Sequence, residues 1–84
     1  MIDWEHVARV RMYPTQLAIL EALDADGGRT LSPKELTREL DGPLPLSTVA
    51  HHVRRLAEME LLELVRTKPG RGSIEHFYRL VARR

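Results

Sequence analysis

The strongest constraint on this chain is a pair of short amphipathic segments separated by a proline-rich break. Leu31-Ser-Pro-Lys-Glu-Leu-Thr-Arg-Glu-Leu40 is followed by Asp41-Gly-Pro-Leu-Pro-Leu46, and then by Ser47-Thr-Val-Ala-His-His-Val-Arg-Arg-Leu56. The first segment carries the sharpest start signal in the sequence. Ser32 stands as an N-cap, Pro33 suits the first helical position, and Glu35 completes a capping box of the S-x-x-E type. Leu31 and Leu36 flank the box as a hydrophobic staple, with Leu40 one turn beyond Leu36 on the same side. Asp41-Gly42-Pro43 ends this helix, because the residue before a proline is driven out of the α region. A second helix then opens on Ser47 as its N-cap and runs to Met59.

At about 100° per residue, Val49, Ala50, Val53, Leu56 and Ala57 share one side of the second helix. Thr48, His51, His52 and Arg55 share the other, with Ser47 and Arg54 at its flank and no acid before Glu58. The apolar side reads as core. The opposite side is short, polar and basic. Two helices joined by a tight turn, the second presenting such a face, form the helix-turn-helix arrangement that offers its second helix to the major groove of DNA.

The flanking segments extend this plan. Pro14 starts an earlier helix whose Leu17, Ala18, Ile19, Leu20 and Leu23 give a broad apolar face, ending near residues 24–28 where glycine permits a left-handed C-cap. From Leu61 the period changes. Leu62 to Lys68 and Ile74 to Leu80 read as two strands, with Pro69-Gly-Arg-Gly-Ser73 as the loop between them. Alternation puts Tyr78 and Leu80 on one face of the returning strand and Phe77 and Arg79 on the other, leaving open which face packs inward. A hairpin directly after a helix-turn-helix is a wing. Trp4, Val7, Ala8 and Arg11 lie at helical spacing, so Asp3 to Val10 reads as an amphipathic helix. The expected fold class is α+β, mainly helical: a winged helix-turn-helix with a three-helix core, a β-hairpin wing, and residues 1–12 as a candidate helical extension.

Composition narrows the function. Eighty-four residues make one domain, 1–84, and 43% apolar with 30% charged residues is the make-up of a globule rather than of a disordered tail. With no cysteine, disulfides and thiolate metal sites are excluded. No apolar run is long enough for a bilayer and no signal-peptide pattern opens the chain, so a cytoplasmic location with no membrane partner is the expectation. The net charge of +1 conceals an asymmetry, with −3 over residues 1–46 and +4 over residues 47–84. The basic excess therefore accompanies the second helix and the hairpin, as a polyanion-binding face requires. No nucleophile motif, paired-carboxylate cleft or phosphate loop is present, and Gly70-Arg71-Gly72 is a turn, so neither catalysis nor a cofactor is expected.

Four stretches then match a known pattern in order and spacing: Tyr13-Pro-Thr-Gln-Leu-Ala-Ile-Leu-Glu-Ala-Leu23, Leu31-Ser-Pro-Lys-Glu-Leu36, Leu46-Ser-Thr-Val-Ala-His-His-Val-Arg-Arg-Leu56, and Arg71-Gly-Ser-Ile-Glu-His-Phe-Tyr-Arg79. Together they resemble the winged helix-turn-helix regulators of the ArsR type, closest to variants common in actinobacteria. The resemblance spans Tyr13 to Leu80 and implies a dimeric transcriptional regulator that yields its operator on a signal. It places base-reading positions at Thr48, His51, His52 and Arg55 and a wing at Lys68 to Ser73. Three positions depart from the family's habit: Tyr13 and Gln16 stand where an acidic or imidazole side chain and an arginine are usual, and Glu60 stands in place of glycine. A helix ending on Glu60 either runs on or closes on a strained residue. Neither of the family's metal sites carries over, since the chain lacks cysteine and ends four residues after Leu80.

The functional expectation is sequence-specific binding to double-stranded DNA, with repression as its outcome and a homodimer as the binding unit, the Trp4 helix being its candidate contact. The N-terminus of the helix Ser47–Met59 enters the major groove, Arg55 bonds guanine, and Thr48, His51 and His52 meet base edges or phosphates. Arg54, Arg66, Lys68 and Arg71 hold the backbone, while Ser32 and Lys34 touch a flanking phosphate. An alternative is a winged-helix adaptor that binds protein instead. A third reading, a metal or pH sensor on His51, His52, Glu75 and His76, suffers because neighbouring side chains on a helix or strand diverge. A histidine on a phosphate nonetheless makes binding tighten as pH falls. The effector, if there is one, is not written in the residues.

Overall fold

Pro14 opens the first helix, and Gln16 reaches back so that its Oε1 accepts the Tyr13 backbone N–H at 3.3 Å. This α1, Pro14–Asp24, buries Ile19, Leu20 and Leu23 completely and Gln16 nearly so. The computed structural model describes residues 13–40 and 42–81; the helix expected over residues 3–10, with Trp4 on its stripe, lies outside the described residues. The α1 helix does not end in a left-handed cap of its own. Its C-cap, Ala25, is extended, and the reversal falls to Asp26 and Gly27 in a 3-10 turn.

Leu31 then bridges to Tyr78 through a reciprocal pair of backbone hydrogen bonds, each 2.9 Å, a one-residue strand that the sequence pattern did not reveal. The capping box forms as expected. The Glu35 N–H donates to Ser32 Oγ at 3.2 Å, the Ser32 N–H donates to Glu35 Oε1 at 3.0 Å, and α2 runs Pro33–Glu39 with Leu36 buried. Leu31 is buried beside Leu36, so the staple is in place. Arg29 is hydrogen-bonded to Glu39 across the base of this unit, which holds the Glu39 carboxyl below its ordinary range.

The third helix, α3, spans Leu46–Glu58. Ser47 is not its N-cap. The chain turns one step earlier, at Pro45, whose carbonyl accepts from Thr48 at 3.1 Å and Val49 at 3.2 Å, so Ser47 sits inside the first turn. Val49, Val53 and Leu56 are fully buried against α1 and α2. The helix closes on itself: Leu61 N–H bonds the Leu56 carbonyl and Glu60 N–H bonds the Ala57 carbonyl, each at 3.0 Å. That is the Schellman pattern, which needs a left-handed residue between them. Glu60 supplies it at φ +63°, where a side chain is sterically disfavoured.

Strands β1, Leu62–Gly70, and β2, Ser73–Leu80, pair antiparallel. Both run further than their composition suggests, so the expected five-residue loop shrinks to Arg71-Gly72, with Gly72 at φ +72°. Val65 is an extra residue: Leu64 faces Tyr78, but Arg66 faces Phe77. The face of β2 that carries Tyr78 and Leu80 is the one packed on the helices. Leu62 is buried, and Tyr78 and Leu80 pack against the helical core, yet Phe77 is also only 5% exposed, with the Arg66 guanidinium 3.8 Å from its ring centroid. From Leu64 to Ile74 every residue is exposed. The hairpin thus roots in the core and projects beyond it. Three helices followed by this hairpin make a winged helix-turn-helix.

Candidate nucleic-acid interface

The wing, the start of α2 and the exposed side of α3 enclose an open cleft of about 550 Å³. One wall is Leu46, Ala50 and Arg54, successive turns of α3. The other wall is the wing, from Gly70 and Arg71 through Ile74 to Tyr78, and Pro33 with Lys34 closes one end. Lys34, Arg54 and Arg71 therefore reach one cleft from three separate elements, and all three are exposed. Among the described residues, Glu75 is the sole carboxylate that lines it, and its Oε2 accepts the Ser32 hydroxyl. The first turn of α3 carries no acidic side chain, so its helix dipole adds to the positive field there.

The expected site residues divide. Ser47 and His51 are exposed beside the cleft wall on α3, and Arg54 lies in it. Lys68 is exposed on β1 opposite Glu75, and Arg71 forms the tip. Arg66 is exposed but stacked on Phe77. Ser32 must be corrected. It is fully buried, with its hydroxyl accepting from Glu35 and donating to Glu75, so it joins α2 to the wing and has no lone function left for a phosphate.

His52 needs a correction too. It is half-buried on the side of α3 turned toward α1, tilted against the Tyr13 ring with centroids 5.6 Å apart. Since Gln16 Oε1 already accepts from Tyr13, its amide nitrogen faces His52 Nδ1 at 3.2 Å and must donate to it. The imidazole is thereby fixed as the neutral Nε2–H tautomer. Burial pulls its pKa below the ordinary histidine value, with the charge of His51 adding to the effect. Thr48 is half-buried on the same flank. Arg55 is exposed there, but bonded to Glu58 at 3.1 Å, a solvent-exposed pair that exchanges readily.

Of the face expected on α3, Thr48 and His52 are thus half-buried, while Ser47, His51, Arg54 and Arg55 are exposed. Leu46, expected in the break before the helix, and Ala50, expected on the core side with Val49 and Val53, both line the cleft instead. Partial exposure cannot be read from periodicity. Among the described residues, no group of three or more metal-ligating side chains assembles, and His76 Nδ1 donates to the Ile74 carbonyl at 3.1 Å. No described helix is long and apolar enough to cross a membrane.

The fold and its cationic cleft define a DNA-binding regulator of the winged helix-turn-helix class. The family comparison agrees with the helix-turn-helix part of this assignment. A family model described as a helix-turn-helix domain matches residues 13–65, and the chain belongs to that family. No curated protein matches it.

Proposed function

We propose that this chain binds double-stranded DNA sequence-specifically as a transcriptional regulator. The N-terminal half of α3 enters the major groove, and the wing lies on the adjoining backbone or minor groove. One observation carries the reading: Lys34, Arg54 and Arg71 converge from α2, α3 and the hairpin on a single cleft whose carboxylate is already engaged. A helix in a groove, its neighbouring phosphates held from both sides, needs that arrangement. Ser47 and His51 meet base edges, while Lys68 adds a backbone contact. Repression and a homodimeric binding unit, with half-sites about one DNA turn apart, are supported by the likeness to ArsR-type regulators.

Fluorescence anisotropy with fragments from upstream of the protein's own gene tests this reading, with sedimentation to count copies on the DNA. Preference for one fragment over random duplex at moderate salt is the expected result. Equal affinity for all duplexes would remove the claim of specificity.

A protein-binding adaptor is the second reading, and one observation favours it: Leu46 and Ile74, 49% and 60% exposed, are apolar and face the same cleft. A stoichiometric protein partner that DNA fails to displace would establish it.

A further inference from the structure

We propose that the cleft selects thymine through its C5 methyl group, with Leu46 and Ala50 as the contacting pair. The inference rests on the DNA-binding reading above and adds which base the interface prefers. Isolated exposed aliphatic residues are ordinary on any surface. Leu46 and Ile74 differ in where they are: both belong to the walls of the cleft that Lys34, Arg54 and Arg71 line. Leu46 occupies the first position of α3, Ala50 follows one turn later, and Arg54 one turn after that. This row is apolar, apolar, cationic, and it is the row turned toward the wing.

A DNA strand matches such a row in one way. Its phosphates meet Arg54, Lys34 and Arg71. At the base edges of the major groove the apolar group on display is the thymine methyl; guanine, adenine and cytosine present donors and acceptors there. Against Leu46 and Ala50 those polar edges lose water and gain no partner, which counts against them. The pair therefore attracts thymine and disfavours the other bases together. Ile74, on the opposite wall, packs against the sugar of the same strand, a contact indifferent to sequence. The apolar residues that favoured an adaptor thus have a place in a DNA complex.

The full chain is used to enrich bound duplexes from a random-sequence library, and the winning duplex is resynthesised with each thymine replaced in turn by deoxyuridine. That exchange removes only the methyl. At one or two positions in each half-site, affinity is expected to fall about fourfold, the worth of one buried methyl-sized group. Leu46→Ala should bind the thymine duplex with a similar loss and then show no further loss on the uracil duplex. Circular dichroism confirms that the variant is folded, as a half-exposed site permits. Ile74→Ser should weaken all duplexes alike and keep the thymine–uracil difference.

Wild-type protein that binds thymine and uracil duplexes equally at every position overturns the inference, as does an enriched site without thymine. A uracil penalty that survives undiminished in Leu46→Ala assigns the methyl to another residue and overturns it too. A library that never enriches removes the DNA-binding reading itself, at the first stage and before any uracil duplex is made.

Discussion

The two flanks of α3 each carry an arginine but meet different neighbours. On the flank facing α1, Thr48 and His52 are half-buried, His52 is held by Gln16 and Tyr13, and Arg55 is paired with Glu58. On the flank facing the wing, Leu46, Ala50 and Arg54 line an open cleft shared with Lys34 and Arg71. A histidine and an arginine on a recognition helix are therefore not binding residues by type alone. Their neighbours decide: a flank packed on another helix spends its polar groups internally, and a flank beside a projecting hairpin keeps them free.

The comparison breaks most decisively on the cations. Replacing Lys34, Arg54 and Arg71 together by alanine should lower DNA affinity about a hundredfold or more near 0.1 M salt, and flatten the salt dependence by roughly 0.9 per lost phosphate contact. A titration across salt concentrations reads both. On the other flank, His52→Ala should leave binding by the folded protein nearly unchanged but cost about 1–2 kcal/mol in urea unfolding, because the buried Gln16 amide loses its acceptor.

Glu60→Gly should raise stability by about 1 kcal/mol, since glycine holds the left-handed conformation without the steric cost. Thermal unfolding should then shift upward by roughly 4–8 °C. The pH response should be weaker. With the folded pKa of His52 below its ordinary value, the stability it contributes is complete above about pH 6.5. It falls as pH drops toward the lowered value, because the unfolded chain takes up the proton first. Unfolding at stepped pH should show this decline, and His52→Asn, which does not titrate, should flatten it. Smallest of all, Arg55→Ala should change stability by no more than about 0.5 kcal/mol and affinity far less than Arg54→Ala. An effect of Arg55→Ala as large as that of Arg54→Ala would invert the comparison.

Local chemistry was legible in the residues. The Ser32–Glu35 box, the proline starts, the break before α3 and the change of period at Leu61 each depend on neighbours a few positions away, and the structure reproduces them. What escaped depends on distant partners. Nothing within α3 tells that Gln16, 36 residues earlier, will hold His52, and nothing around the cap of α2 tells that Glu75, 43 residues later, will take the Ser32 hydroxyl. Periodicity fixed the buried side of α3 correctly through Val49, Val53 and Leu56, yet it cannot say which flank meets a helix and which meets a hairpin. The cap of α3 misled for a related reason: Ser47 is the better capping residue, but Pro45 already has the extended dihedrals that start the helix.

Val65 has a consequence for how such molecules diverge. Being one residue in excess on its strand, it bends and twists the hairpin between its root and the segment Arg66 to Gly70. Losing its single codon would leave Arg66 opposite Phe77 and Lys68 opposite Glu75, but would remove the local bend and extra twist that the bulge gives the hairpin. A lineage could thus re-aim its hairpin toward a different stretch of double helix in one deletion, with the interior left untouched.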